Sequence, residues 1–288
     1  MSAAPRPARV LRVACVQLDT AGDKAANVAA AERLVRAATA AGARLIALPE
    51  TWAYKGPGAG IIASAEPVDG PSNAVLRGLA AEHGVFVLAG SHYEVAPRPD
   101  RAFNTSVLFG PAGEIVAVYR KIHLFDAVSA GAVYRESDDL LAGDEIVTAA
   151  LALPGDAQGA QTVTVGLSIC YDLRFPELYR SLALAGAEVL FVPAAFTHFT
   201  GAAHWEVLLR ARAIENGCFV VAPAQTGFHL PGRQCFGHSM IVDPWGTVVA
   251  RLEEEVGICV ADLDLEAVAE VRAQIPSLAN RRPEAYRT

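Results

Sequence analysis

Glu50, Lys121 and Cys170 share one placement: each follows directly on an apolar run that reads as a β-strand. Glu50 comes after RLIAL (44–48) and Pro49, Lys121 after EIVAVYR (114–120), and Cys170 after TVTVGLSI (162–169). Open α/β sheets hold ligands beyond the carboxyl ends of their strands, so three such ends can meet in one cleft. Singly, each residue has an ordinary reading. A free cysteine is usually a small buried hydrophobe, and a Glu or Lys after a strand is usually solvated. Together they form a definite chemical set. A carboxylate whose pKa is raised in a desolvated pocket can take the thiol proton. A lysine ammonium with a backbone N–H can hold a tetrahedral oxyanion. The product of that set is acyl transfer through a thioester. A Cys-His pair is the commoner activator of a thiol, and His123, His204 and His238 keep that alternative open.

The elements that must carry these residues follow from periodicity. Residues 10–18 alternate as a first strand, 27–41 read as a helix closed by Gly42, and 44–48 as a second strand. A Gly/Pro-rich loop over 55–70 precedes a helix over 73–83, a strand over 85–90, and a hairpin of 103–110 with 114–119 around Pro111-Ala112-Gly113. Residues 124–143 have little periodicity and read as a surface excursion; loops of ~20 residues in a compact domain are usually functional. After the Cys170 strand, Pro176-Glu177 suits the first turn of a helix. A strand over 188–195, a polar loop over 196–203 and a helix over 204–215 come next. Strands over 218–222, 239–242, 247–252 and 257–263 follow, then a helix over 266–274. The tail from 275 to 288 carries Arg281, Arg282 and Arg287 with no partner in its own segment. This is a mixed α/β pattern, and periodicity alone does not separate a two-sheet sandwich from one doubly wound sheet. Without a repeat or linker, residues 1–288 read as one domain with its core at about 10–265.

Bulk properties narrow the function. The chain has 288 residues, 52% of them hydrophobic and 19% charged, with a net charge of −7. That balance, with no basic cluster, argues against a nucleic-acid partner. Five widely spaced cysteines without CxxC pairs make neither a disulfide framework nor a zinc site and fit a reducing cytoplasm. Arg9 and Arg12 interrupt the apolar N-terminal stretch, so it does not read as a signal peptide, and no window reaches the ~18 apolar residues of a membrane span.

The segments LPET around Glu50, YRKIHLFD around Lys121 and GLSICYDLRFPELYR around Cys170 resemble the nitrilase, or carbon–nitrogen hydrolase, superfamily. The similarity runs from VACVQLD to GHSMIVDPWGTVVA and the closing strand. It implies a four-layer αββα sandwich, a Glu50-Lys121-Cys170 triad, no metal or organic cofactor, and assembly as a homodimer with the tail at its interface. It further implies that Glu136, in VYRES, helps position substrate and lysine, and that the Tyr171 N–H joins Lys121 at the oxyanion. Glu50 then serves as the base, and His123 loses that claim. Residues 193–216 with GHSMIVDPWGTVVA look most like the Nit-type branch, which contains ω-amidases and deaminated-glutathione amidases, the latter being the closer match. Tyr171-Asp172 after the cysteine, in place of the Trp-Glu of true nitrilases, favours amides over nitriles. Substrates of that branch carry a carboxylate, for which Arg174 is the nearest cation; a structural pairing of Arg174 with Glu177 or Glu206 is the competing expectation. Phe196 and Thr197 are further pocket candidates. The segment 126–132 departs from the branch in lacking a Pro-Gly, which bears on the pocket rim. The other readings are an N-carbamoyl amino acid hydrolase of the same superfamily and a catalytically silent binding or scaffold protein.

Overall fold

Alternating apolar residues build two sheets whose faces are covered on both sides. The computed structural model describes residues 9–129, 131–156, 159–230 and 232–286. In the first sheet Val10–Gln17, Leu45–Ala47 and Phe86–Leu88 run parallel. They are flanked by antiparallel Gly257–Asp264 on one side and Ala102–Phe109 on the other. Ala102–Phe109 also pairs with His92–Val95 and Ile115–Arg120. The second sheet repeats the plan. Gly159–Gly166, Val189–Phe191 and Phe219–Ala222 are parallel, between antiparallel Thr148–Asp156 and the Met240–Val242/Val248–Arg251 pair.

Helices α1 (Lys24–Ala40), α2 (Ala59–Ser64) and α3 (Pro71–His83) belong to the first half, and α4 (Pro176–Leu184) and α5 (His198–Asn216) to the second; α6 (Glu266–Gln274) follows the last strand. The period-2 alternation divides the first sheet between two cores. Val13, Cys15, Ala47, Leu88 and Leu108 face the second sheet, while Ala14, Val16, Ile46, Leu48 and Val87 face α1 and α3. Gln17 fastens sheet to sheet: its Oε1 accepts from the Ser239 N–H and Oγ–H, each at 2.8 Å. The layers are therefore helix, sheet, sheet, helix. Among the described residues no helix is long and apolar enough to cross a membrane.

Several elements differ from the sequence expectation. Helix α1 starts at Lys24 because Asp23 caps it, accepting from the Ala26 N–H at 3.0 Å. The loop over 55–70 contains α2. Within 124–143, Asp126–Ser129 pairs antiparallel with Ala132–Arg135, and a 3₁₀ turn follows at Glu136–Asp138. A second hairpin, Thr226–Leu230 with Arg233–Phe236, was not foreseen. The polar stretch after Phe196 is the first turns of α5, which buries Gly201 and Trp205. In the tail, Arg282 does have a local partner, Glu284, at 2.9 Å. The N-terminal expectation for residues 1–8 and that for Arg287 lie outside the described residues.

Candidate active site

The strand ends converge. The Glu50 carboxylate is buried beyond the parallel strand Leu45–Ala47 and accepts from three directions. Lys121 Nζ and Asn104 Nδ2 each donate to Oε1 at 2.9 Å, and the Ala195 N–H donates to Oε2 at 2.9 Å; Cys170 lines the same pocket floor. The Glu50 backbone carbonyl accepts from Gln225 Nε2 at 2.9 Å. Gly90 lets the neighbouring strand end approach this turn: at φ +42°, an added Cβ would stand 1.9 Å from the Pro49 carbonyl oxygen.

Lys121, 1% exposed, reaches between two carboxylates. Its Nζ lies 2.9 Å from Glu50 Oε1 and 2.8 Å from Glu136 Oε2. Glu136 opens the 3₁₀ turn after the first hairpin, and its Oε2 also accepts from the Phe125 N–H at 2.8 Å.

The strand expected to run to residue 169 stops at Gly166, and Cys170 opens the 3₁₀ turn Cys170–Arg174 with φ +46°, a left-handed conformation rare for a residue with a Cβ. The turn is over-determined. The Cys170 N–H donates to Pro193 O at 2.9 Å, and Arg212 Nη2 and Nε donate to Leu173 O at 2.8 and 3.1 Å. Buried Asp172 accepts four bonds: Tyr119 Oη at 2.6 Å, His123 Nδ1 at 2.7 Å, and the N–H groups of Ile169 at 2.8 Å and His123 at 3.1 Å. One carboxylate thus locks the lysine strand to the cysteine turn. His123, stacked on Phe175 at 3.6 Å, serves that link and is not positioned as the thiol's base.

Charge distribution fixes the resting protonation. Burial alone would raise the Glu50 carboxyl, but the attraction of Lys121, helped by Lys55 and Cys170, outweighs it, so the group sits below its ordinary value. This corrects the expectation of a raised carboxyl. The Cys170 thiol is pushed well up, first by burial and then by the Glu50 charge, with Lys121 opposing. Burial works against the Lys121 ammonium, yet Glu136 and Glu50 together hold it well above the usual lysine range. The resting site is thiol, carboxylate and ammonium.

These groups form the floor of a cleft of about 670 Å³. Its wall includes Tyr171, 4.9 Å from Phe125 between ring centroids, and Arg174, whose guanidinium lies 5.1 Å over Phe196 and 5.9 Å over Tyr171. Among the described residues Arg174 pairs with neither Glu177 nor Glu206; Glu206 instead meets Arg210 and Arg251, each at 3.5 Å. Thr197 also lines the cleft, its hydroxyl 2.8 Å from that of Thr200. The sequence reading missed Asn104, Gln225, Tyr93, Lys55, His229 and Arg233. Asp172 was visible only as part of a polar turn. Among the described residues no cluster of three or more His, Cys, Asp or Glu could hold a metal ion.

Residues 12–273 match the family model described as carbon-nitrogen hydrolase. The chain is 42% identical over 270 residues to a deaminated glutathione amidase of Synechocystis sp., covering 93% of this chain and 97% of that protein. The structure of Nit3 from Saccharomyces cerevisiae, a member of branch 10 of the nitrilase superfamily, superposes with a TM-score of 0.83 at 29% identity, covering 95% of this chain and 96% of that one. An amidase of Nesterenkonia sp., with the acetamide moiety of fluoroacetamide attached covalently to its active-site cysteine, superposes with a TM-score of 0.78 at 27% identity, covering 99% and 98%.

Proposed function

The chain belongs to the carbon–nitrogen hydrolase family and is an amidase acting on non-peptide C–N bonds, and from that premise we propose how its residues divide the work. The observation that carries the reading is the hydrogen-bonded Glu50–Lys121 pair buried with Cys170 at one cleft floor, the thiol on a left-handed turn. Cys170 Sγ attacks the amide carbon as its proton passes to Glu50. Lys121 Nζ and the Tyr171 N–H take the oxyanion, while Glu136 fixes the ammonium. When the intermediate collapses, the C–N bond breaks and Glu50 returns the proton to the departing nitrogen, leaving a thioester. A water then attacks the thioester carbon and gives its proton to Glu50. The acid leaves and the thiol takes that proton back. The lowered carboxyl suits this cycle, because a base must start ionised.

The substrate reading is an amide of a small acyl group bearing a carboxylate. Arg174, stacked on aromatic rings without an acidic partner among the described residues, supplies the anchor, with Phe196 and Thr197 beside it. Deaminated glutathione is the first candidate, α-ketoglutaramate the second and N-carbamoyl amino acids the third. Turnover of these three, read as amine or ammonia release, tests the reading. Activity confined to the carbamoyl compounds would replace it. Cys170→Ala should lower kcat by about 10,000-fold or more with an unchanged circular dichroism spectrum; an active variant would sink the thioester route.

The wider setting belongs to the same proposal: one hydrolase domain, working in a reducing cytoplasm where its five free cysteines persist, as a homodimer. Exposed Phe199, Val207 and Ile214 on α5, with Trp245, give an apolar face for self-association. Removal of the tail after Ile275 should shift gel-filtration elution to the monomer; unchanged elution would count against the tail's part.

A further inference from the structure

One buried amide in the strand Ala102–Phe109 holds two members of the catalytic set and is not fully satisfied itself. Asn104 is wholly buried. Its Nδ2 donates to Glu50 Oε1 at 2.9 Å, and its backbone carbonyl accepts from the Lys121 N–H at 2.9 Å. Its Oδ1, by contrast, is buried without a hydrogen-bond partner among the described residues. An unmet buried acceptor is costly, and an apolar side chain of similar size would avoid that cost. The amide is therefore explained by the N–H it offers the carboxylate. Its orientation follows from the contact, because an ionised oxygen only accepts and the NH₂ end must face it.

The two Glu50 oxygens are unequally occupied. Oε1 takes both Lys121 Nζ and Asn104 Nδ2, each at 2.9 Å, which fills the two lone-pair positions of a carboxylate oxygen. Among the described residues Oε2 takes only the Ala195 N–H, at 2.9 Å, and keeps one position open. The segment that supplies this N–H also holds the nucleophile, since Pro193 O accepts from the Cys170 N–H at 2.9 Å. Oε2 is thus the oxygen tied to the Cys170 side, and it is the one with room for a proton. Without the Asn104 donor, a proton would have a second place to settle, on the oxygen that Lys121 holds.

We propose that Asn104 is a positioning residue: it closes Oε1 of Glu50, so that Oε2 carries the proton in every transfer of the reaction. This rests on Glu50 being the base of the proposed mechanism. The thiol proton passes to Oε2 as the C–S bond forms, and Oε2 returns it to the nitrogen as the C–N bond breaks. The proton of the attacking water goes to Oε2 and from there back to the sulfur. Asn104 acts only through Glu50. A donor to the ionised form also favours that form, so the amide adds to Lys121 in keeping Glu50 ready as a base.

The test is the acid limb of the pH profile, read in two ways. Turnover of the best amide gives kcat/KM. Alkylation of Cys170 by iodoacetamide reads the first proton transfer alone, with no C–N bond broken. In Asn104→Leu both acid limbs should move up by about one to two pH units, as expected for loss of a hydrogen bond to an ionised group, with kcat lower by about 10-fold or more on the plateau. The titratable groups coupled to Glu50 are Lys121, Lys55, Cys170, Tyr93 and Cys235, with Glu136 behind Lys121, and they are the same in parent and variant. A residue that merely fills space would lower the rates equally at every pH, so either limb staying in place would overturn the proposal. Asn104→Asp keeps the shape and tests the donor even if Asn104→Leu does not fold. Its new carboxyl donates to Oε1 only while protonated, so both rates, divided by the parent's, should fall as the pH rises through its pKa; a ratio independent of pH would equally overturn the proposal. Should the alkylation profiles behave as stated while no amide is hydrolysed, the proposed function fails and the role of Asn104 stands.

Discussion

Asp172 is buried under the Cys170 turn and Arg233 lines the open cleft; Asp172 accepts four hydrogen bonds from the protein, whereas among the described residues the Arg233 guanidinium meets the face of Tyr134 and no carboxylate within ion-pair distance. The difference holds for the regions around them. On the floor, the groups that move protons are fixed by partners from distant strands, and Glu50 is bound by residues from 104, 121 and 195. On the rim, two hairpins outside both sheets present half-exposed polar and charged side chains and apolar tips such as Val128 and Phe228, 72% and 67% exposed. Reaction geometry tolerates little error, so it is built where backbone and side chains over-determine each position. Recognition needs unsatisfied groups, and those are stable only where water can reach them before the ligand does.

The contrast can be broken at its strongest point first. Asp172→Ala strips the acceptor from Tyr119, His123 and the Ile169 N–H. Leaving such buried donors unpaired costs about 3–5 kcal/mol. Denaturant unfolding should show that loss, and kcat should fall at least about 100-fold with a smaller change in KM, because the thiol turn and the lysine strand lose their common anchor. A loss of stability without loss of kcat would make Asp172 purely structural.

A middle-sized effect lies in pH. Glu50 sits below its ordinary 4.5 in the folded protein, so its contribution to stability is present above that value and is lost as the pH falls through the folded pKa. The rate should stay level from pH 7 down to about 4.5 and drop only below. In Lys121→Met the largest favourable charge is gone and burial prevails. The carboxyl then rises, and thermal stability should decline with increasing pH where the parent protein's increases. An identical pH trend in both proteins would remove Lys121 as the cause. The smallest effect belongs to the rim: Phe228→Ser or Val128→Ser should change unfolding free energy by no more than about 0.5 kcal/mol, measured by denaturant titration.

The same contrast separates what the sequence disclosed from what it hid. Glu50, Lys121 and Cys170 were legible because each ends a run of apolar residues, a local signal. Asp172 stands two residues from Cys170, but its role depends on Tyr119 and His123, 53 and 49 residues away, and no periodicity reports such a bond. The hairpins escaped notice because strands of four or five half-exposed residues show no apolar alternation against a core. Helix α5 was read as starting late because its first turns, HFTGA, show no apolar face at helical spacing: Phe199 is exposed, and the segment meets the protein through Gly201 packed on Phe236. A raised Glu50 was expected from burial alone; the number and nearness of cations decide the sign, and these are tertiary facts.

The first strand has a further consequence, for how the chain is made. Val10–Gln17 pairs along its whole length with Gly257–Asp264, about 250 residues later; at ~5–20 residues per second a ribosome needs roughly 12–50 s to supply the partner. Throughout that interval an eight-residue, largely apolar strand edge is open, the kind of edge that recruits strands from other chains. Nascent chains should therefore depend on chaperone cover until their last thirty residues emerge, and a chain stopped before Gly257 should aggregate although every catalytic residue has been made.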